Sequence, residues 1–283
     1  MIGFQAKTSQ GDLNVYAGLN IAADGRHSVV RTKAGLEVLN LGAPMDVLWM
    51  RVSKHPSDRE QTFGKIAAGR FFIMFDRGDY WQCAFVIPKG SFGELREKGI
   101  ASLREEIAQL EPFLRDRVGE LSDWDDVSLL TVAVDRLRQW YRPGLLCIGD
   151  AAHAMSPVGG VGINLAIQDA VAAANILTPA LTRNHVVIED LKRVQRRREL
   201  PTRVTQRVQI FIQDRVIRRV LSAERVNQKT KPPLIAKLVS RSPFLQGMAA
   251  RFIGIGFRPE HLKSLHPPTA RPVSSGRSGL ATG

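Results

Sequence analysis

Residues 143–150, PGLLCIGD, form an apolar run that ends in an acid, and a glycine-rich loop follows them. The run is typical of a buried parallel strand, and Asp150 stands at its carboxyl end, where ligands bind in open α/β sheets. A carboxylate at that edge can accept hydrogen bonds from sugar hydroxyls. The loop 157–162, PVGGVG, opens a helix whose free N–H groups suit a phosphate or a developing anion. The pattern predicts a site for a flat or phosphorylated ligand; a plain strand–turn–helix with a glycine-rich cap is the alternative.

A second segment with possible chemistry lies near the start of the chain, at residues 23–31, ADGRHSVVR. Asp24 and the glycine after it form a turn dipeptide, and Ser28 is placed to begin a helix. Arg31 follows Ser28 by about one helical turn, and Arg26 is close to both, so these cations could meet phosphate oxygens. The alternative is an Asp-Gly turn with a helix cap and no ligand.

Together the two segments resemble two motifs of the flavoprotein monooxygenases of the para-hydroxybenzoate hydroxylase type. Residues 149–170, GDAAHAMSPVGGVGINLAIQDA, resemble the second flavin-binding motif of that family, and residues 23–31 resemble its Asp-Gly motif, which is implicated in binding both FAD and the reduced pyridine nucleotide. The resemblance implies that Asp150 holds the ribityl chain, that Pro157 lies beside the flavin ring, and that the glycine loop faces the N1–O2 edge of the ring.

The resemblance implies the following cofactor-binding residues, and neither it nor the sequence identifies a catalytic residue: Asp24, Gly25, Arg26, Ser28, Arg31, Gly149, Asp150, Ala151, Pro157, Gly159, Gly160, Val161, Gly162 and Asn164. It further implies FAD as cofactor, NADPH or NADH as co-substrate, and hydroxylation of an aromatic or other electron-rich small molecule with O2. Two alternatives are a related flavoprotein reductase, dehydrogenase or halogenase, and a non-catalytic fragment that acts through its basic helices.

The resemblance also implies a unit that the sequence does not contain. The family begins with a strand, a Gly-x-Gly-x-x-Gly loop and a helix that hold the ADP half of FAD. Only 23 residues precede Asp24, too few for a βαβ unit of about 30 residues. We therefore expect an N-terminally truncated member, and, if the chain starts at Met1, exposed sheet edges, poor solubility and weak or absent FAD binding.

Apolar periodicity and turn residues predict the remaining elements. Strands are predicted in residues 12–23 (two, around Gly18), 46–53, 69–76, 80–87, 129–134 and 143–150. Helices are predicted in residues 92–110, in 162–177 with Pro179 closing the helix, in 188–222 with an interruption at Pro201, and in 244–252.

This order of elements, with the resemblance, predicts an α/β fold: a partial FAD/NAD(P)-binding domain of the glutathione-reductase-like type, an inserted mixed β-sheet substrate domain, and C-terminal helices. The predicted divisions are a remnant of the FAD-binding domain (1–35), the substrate domain (36–135), the rest of the FAD-binding domain (136–182), a basic helical region (183–265) and a disordered tail (266–283). Aromatic residues of the substrate domain are candidates for its pocket, with plain core as the alternative: Trp49, Phe71, Phe75, Trp81 and Phe85.

The composition is that of a soluble protein, with 44% hydrophobic and 24% charged residues among 283. We see no signal peptide, membrane span or metal-ligand spacing, and Cys83 and Cys147 lie in apolar runs typical of buried free thiols, which fits the cytoplasm. The net charge of +13 is concentrated in residues 183–263, with 19 Lys and Arg against 6 Asp and Glu. Such a run is usually a solvated helix face, so no nucleic-acid partner is predicted; an anionic membrane surface is the alternative, and the oligomeric state is undecided.

Overall fold

The computed structural model describes residues 2–67, 69–221 and 242–263. Its strands are β1 (Gly3–Thr8), β2 (Gly11–Tyr16), β3 (Asn20–Ala22), β4 (Val38–Asn40), β5 (Met45–Ser53), β6 (Phe63–Ala67), β7 (Arg70–Asp76), β8 (Tyr80–Pro88), β9 (Val127–Leu130), β10 (Asp135–Leu137), β11 (Tyr141–Arg142) and β12 (Leu145–Cys147). Its α-helices are α1 (Val29–Lys33), α2 (Phe92–Glu97), α3 (Ile100–Leu110), α4 (Gly162–Thr182), α5 (Ile188–Ile212), α6 (Arg218–Leu221) and α7 (Pro243–Gly254).

A small sheet brings the two predicted motifs side by side. Its order is β11-β12-β3, and β12 runs parallel to β3 with Cys147 opposite Ala22. The apolar run at 143–150 therefore contains a buried parallel strand, as predicted, but the strand is limited to Leu145–Cys147. Because parallel strands end at the same edge of a sheet, the segments that follow β3 and β12 meet there. The hairpin of β1 and β2 precedes this sheet, and β1 was not predicted.

The larger sheet has five strands in the order β6-β7-β8-β5-β9. All its pairings are antiparallel, so it is not the mixed sheet that we predicted. One face carries Leu48, Trp81 and Phe85 into a core with α3, and the other carries Met45 and Val86 towards the C-terminal helices. The alternation follows from the period of two in a strand. Strand β4, which precedes the larger sheet in the chain, pairs with β10, which follows it. The chain therefore enters the larger sheet and returns from it at neighbouring points.

Two predicted elements differ in the structure. The helix predicted at 92–110 is broken into α2 and α3 by Gly99, whose φ of 84° and ψ of 159° lie in a region that only glycine readily adopts. The strand predicted at 129–134 ends at Leu130. Beyond it, the backbone N–H of Val132 donates to the carboxylate of Asp46 at 2.9 Å instead of to a neighbouring strand.

Neither proline ends its helix where the sequence suggested. Pro179 lies inside α4, which continues to Thr182, and Pro201 lies inside α5, which is continuous to Ile212. Local propensity is overridden here by burial, since Pro201 and Thr202 are buried in the core. The irregularity of this helix comes later, as a π-helical turn at Gln213–Ile217. Helix α7 confirms the prediction for 244–252, whereas the predicted tail at 266–283 lies outside the described residues.

Helix α4 is the most apolar element. Residues 158–182 are long and apolar enough to span a membrane by length and composition, with a mean hydropathy of 1.3, and 39% of that window is buried. Leu177 packs in one core with Leu146 of β12 and Val194 of α5. The helix is therefore a core element between the small sheet and α5.

Candidate functional site

The segment after β3 is a turn fixed by its own side chains. The Ser28 hydroxyl accepts a hydrogen bond from the backbone N–H of Arg31 at 2.9 Å and so caps α1, and the Asp24 carboxylate accepts from the N–H of Val30 at 3.2 Å. Desolvation would raise the pKa of Asp24, but the hydrogen bonds from Ser28 and from backbone N–H groups outweigh it and lower the pKa. Gly25 has a φ of 83°, so a side chain there would be strained. The turn is rigid and built for glycine.

Arg31 ties this turn to the second motif. Its guanidinium donates to both carboxylate oxygens of Asp135, at 3.2 and 3.3 Å, and to the backbone carbonyl of Arg26 at 2.5 Å. Asp135 in turn accepts from the N–H of Ala154, which follows the Gly-Asp turn, at 3.2 Å. Arg31 and Asp135 are both buried. Arg31 therefore holds two loops together, and it does not line the cleft described below.

The segment after β12 turns sharply at Gly149. Its φ is 57°, and a Cβ built there would lie 3.0 Å from the Cβ of Ala166 in α4, so the strand and the helix approach closely because residue 149 is glycine. The turn directs Asp150, which is half-buried, towards the cleft described below.

A buried charged network lies behind this turn. The Asp169 carboxylate accepts from the N–H of Gly149 at 3.0 Å and from Nε of Arg198 at 2.9 Å, and it lies 2.6 Å from Nε2 of His153. Desolvation would raise the pKa of Asp169, but the charges and hydrogen bonds of His153 and Arg198 lower it. Through this contact, His153 fixes the loop.

Helix α5 holds the loop between His153 and Gly160 through buried glutamines. Nε2 of Gln209 donates to the backbone carbonyls of Ser156 and Val158, both at 2.9 Å, and its Oε1 accepts from the N–H of Ser156 at 3.2 Å. Gln206 donates to the carbonyls of Asp135 and Ala154 at 2.7 and 3.2 Å. These contacts could not be predicted from the sequence, because a glutamine in a basic helix is normally solvated.

The two motifs form one open cleft of about 690 Å³. Seven of the predicted residues line it: Gly25, Arg26, Gly149, Asp150, Pro157, Gly160 and Gly162. Sequence reasoning missed two groups of apolar lining residues, which are Leu130 and Val132 at and just after the end of β9, and Ile163 and Ile167 in α4. Ile163 and Ile167 could have been suspected from the sequence, because they lie one turn apart on one face of the helix predicted at 162–177. The wall of the cleft is mostly apolar. Its charged groups are the Arg26 cation and the Asp150 carboxylate, and the N-terminus of α4 also lines it.

The other seven predicted residues do not line the cleft: Asp24, Ser28, Arg31, Ala151, Gly159, Val161 and Asn164. Ala151 and Val161 are buried in the core, and Asn164 donates to the carbonyls of Ile253 and Gly254 in α7, at 3.2 and 3.3 Å. Any contact of these residues with a ligand stays a prediction.

A second, apolar cavity of about 440 Å³ lies between the five-stranded sheet and the glycine loop. Trp49, Phe71 and Phe75 line it, with the rings of Trp49 and Phe75 5.8 Å apart. The other aromatic candidates, Trp81 and Phe85, point to the opposite face and are plain core. Pro157 and Gly160 line both the cleft and this cavity, so the loop is their common wall.

Both cysteines are buried free thiols, as predicted. Burial raises the pKa of Cys83 and of Cys147 to about 12. Neither thiol is ionised near neutral pH, and neither lines the cleft or the apolar cavity. They are structural.

The sequence profile of a family described as "FAD binding domain" matches residues 4–220. Among curated proteins, the chain is similar to 6-methylpretetramide 4-monooxygenase of Streptomyces rimosus, with 36% identity over 241 residues that cover 84% of this chain and 56% of the relative. It is also similar to 3-demethoxyubiquinol 3-hydroxylase of Escherichia coli strain K12, with 28% identity over 169 residues that cover 59% of this chain and 42% of the relative. The chain thus spans about half the length of the curated relatives it matches.

Solved structures share the fold. PqsL, a probable FAD-dependent monooxygenase from Pseudomonas aeruginosa, superposes with a TM-score of 0.62 at 20% identity over 77% of this chain and 61% of its own. OxyS anhydrotetracycline hydroxylase from Streptomyces rimosus superposes with a TM-score of 0.61 at 16% identity over 92% of this chain and 50% of its own. The predicted α/β fold class, with FAD-binding monooxygenases as its structural neighbours, is confirmed.

Proposed function

The chain belongs to the FAD-binding domain family, and on that premise we propose that it carries the flavin-facing and substrate-facing part of an FAD-dependent monooxygenase. The reaction is the hydroxylation of an aromatic or other electron-rich small molecule with O2 and NADPH or NADH. We propose the division into residues 1–35, 36–135, 136–182 and 183–265 for the domains, which the pairing of β4 with β10 supports. A soluble, cytoplasmic enzyme is part of the same proposal.

The cleft fits the flavin end of FAD. Gly25 and Gly160 have positive φ angles, and nothing lies within 4 Å of where their Cβ atoms would be, so a flat ring can approach the backbone there. Asp150 can accept hydrogen bonds from ribityl hydroxyls. The Arg26 guanidinium and the start of α4, which no side chain caps, supply positive charge for phosphate oxygens or for the reduced ring.

One observation carries the proposal: the cleft and the apolar cavity share Pro157 and Gly160 as a wall. A ring held in the cleft and an aromatic substrate held in the cavity would therefore meet at this loop. Bound FAD, reduced by NADPH or NADH, would supply the chemistry that activates O2 for the transfer. The sheet residues Trp49, Phe71 and Phe75 exclude water and orient the substrate by contact, and the buried network of Asp169 keeps the loop in place.

The names of the relatives support an aromatic substrate. One acts on 6-methylpretetramide, another on 3-demethoxyubiquinol, and PqsL has been crystallised with 2-aminobenzoylacetate. For this chain we propose an aromatic small molecule. We propose no nucleic-acid partner, because the basic helix α5 has many of its cations paired, for example Arg196 with Glu189 at 3.1 Å and Arg197 with Glu260.

FAD binding is the first test. Titration of the purified chain with FAD, followed by flavin fluorescence, should give weak but saturable quenching, because the cleft fits only the flavin end of the cofactor. Asp150→Asn should weaken that binding about tenfold, because a charged acceptor of a hydroxyl hydrogen bond is worth roughly 1.5 kcal/mol. Asp125→Asn, the same change at an exposed site away from the cleft, should leave the affinity unchanged. A folded protein that leaves flavin fluorescence unaltered, or an equal effect of both variants, would refute the assignment of the cleft.

Oxygen transfer is tested separately. With FAD bound, oxidation of NADPH or NADH in the presence of substituted phenols should consume O2 and yield hydroxylated product. Oxidation of the nicotinamide without incorporation of oxygen into any phenol would favour a reductase or dehydrogenase on the same fold.

A further inference from the structure

A second apolar compartment lies beyond the cavity under the sheet. It has a volume of about 660 Å³ and lies between α5, α7 and the glycine loop. Val208 and Ile212 line it from α5, and Met248, Phe252 and Ile253 line it from α7. Of these side chains, only Ile212 also lines the apolar cavity under the sheet, and none lines the cleft.

The two compartments adjoin each other. Val158, Gly159 and Ile212 line both, so these three residues form the junction between the inner compartment under the sheet and the outer one beside α7. Residue 159 is glycine with a φ of 78°, so this part of the loop contributes no side chain to the junction. Ile212 is the last residue of α5, directly before the π-helical turn, and it is half-buried.

The lining has almost no polar groups to offer. In the described part of the chain, Thr205 and Gln209 are the polar residues that line the outer compartment, and the inner one is lined by apolar side chains and glycines. The amide of Gln209 is already used by the backbone of Ser156 and Val158. A carboxylate or ammonium group would lose its hydration here without gaining a partner.

Apolar surface is left open to a ligand at this place. Val208 is 39% exposed, Met248 55% and Ile253 47%, and all three face one compartment. Such a cluster differs from single exposed apolar residues, which are normal on a protein surface.

We infer that the substrate is a neutral molecule with two parts: an aromatic ring in the inner compartment, and an apolar extension, an alkyl chain or further fused rings, that passes Ile212 into the outer compartment. Only the role of the ring as the oxidised part rests on the proposed monooxygenase function. Ile212 and the residues of α7 thus set the length and shape of substrate that the protein accepts.

The test uses neutral 4-alkylphenols from 4-ethylphenol to 4-heptylphenol, and binding is measured by calorimetry on the full chain without added FAD. Affinity should rise up to about fourfold for each methylene that becomes buried. Ile212→Trp fills the junction and should weaken 4-heptylphenol more than about tenfold, the loss of two or more methylenes, while 4-ethylphenol binds nearly as before. Leu200→Trp, on the exposed side of the same helix, should alter neither.

Met248→Trp is a second variant that keeps the test valid if Ile212→Trp does not fold. Met248 is mostly exposed, so the substitution should not disturb the core. It should also weaken the long phenol selectively. An affinity that does not depend on chain length, or variants that weaken both phenols equally, would overturn the inference. Because no flavin takes part, a normal chain-length effect without any oxygen transfer would refute the monooxygenase proposal and leave this one intact.

Discussion

At the scale of single residues, the buried ion pair of Arg31 and Asp135 joins the turn after β3 to the loop after the Gly-Asp turn. Asp150 and Gly160 were predictable from local sequence, because a residue at the end of a buried strand or in a glycine loop points to the ligand edge of a sheet. Arg31 was not, because its partner Asp135 lies 104 residues further along the chain. A cation near a glycine turn has the same pattern whether it binds phosphate or a distant carboxylate.

The pair of Arg31 and Asp135 gives a prediction at this scale. Arg31→Gln should lower the free energy of unfolding by about 3 kcal/mol, because it leaves the buried Asp135 carboxylate without its cation. Urea unfolding measures the effect, and adding Asp135→Asn should recover part of the loss. Arg138→Gln, which removes the exposed pair with Glu37, should cost less than about 1 kcal/mol. Equal costs for the two arginines would contradict a structural role of Arg31.

At the scale of elements, apolar runs predicted most strands and the helices α4 and α7, whereas breaks in helices were misplaced. Pro201 is a helix breaker in isolation, yet α5 runs through it because the helix is anchored on both sides of the proline, by Arg198 before it and by Gln206 and Gln209 after it. Such anchors depend on tertiary contacts that no local pattern contains. Gly99, by contrast, interrupts a periodic apolar pattern that by itself favours one long helix.

The glutamines of α5 give a prediction at this scale. Gln209→Leu keeps the side chain's shape but leaves the buried backbone groups of Ser156 and Val158 without partners, so the free energy of unfolding should fall by about 2 kcal/mol. Hydrogen exchange of residues 156–160 should become faster. Gln109→Leu, at an exposed position of α3, is the matched control and should change neither. Unaltered exchange in the loop would show that α5 does not hold it.

At the scale of the whole molecule, the order of elements and the family resemblance predicted an α/β protein, while the arrangement of the two sheets around one loop depends on contacts between distant segments. Charge was the least informative global quantity. The net charge of +13 suggests a basic surface, but Arg198 is fully buried against Asp169, and Arg193 and Arg196 lie near acids of the same helix. A count of charges cannot separate solvated cations from those that hold the core.

The response to acid gives a prediction at this scale. Desolvation would raise the pKa of Asp58, but hydrogen bonds from Arg117 and Trp81 lower it to about 2, below the usual 3.8. The ionised carboxylate therefore stabilises the fold above about pH 4, and this stability is lost as the pH falls from about 4 towards 2. Asp46 and Asp169, whose pKa values are also lowered, add to the loss.

The measurement is the free energy of unfolding from pH 7 to pH 2. Asp58→Asn should be less stable at pH 7 and should depend less on pH below pH 4, whereas Asp125→Asn should follow the original protein. A variant at position 58 with an unchanged pH profile would contradict the role of the Arg117 pair.

The wall shared by the cleft and the apolar cavity has a consequence for protein engineering. Any substitution at Pro157 or Gly160 alters the lining of both the cleft and the cavity, so gains in substrate range made there would be offset by damage to the proposed cofactor site. Trp49, Phe71 and Phe75 line the cavity but not the cleft, and Met248 lines only the outer compartment. A mutant library meant to change the substrate range should therefore vary these residues of the sheet and of α7, and leave the loop unchanged.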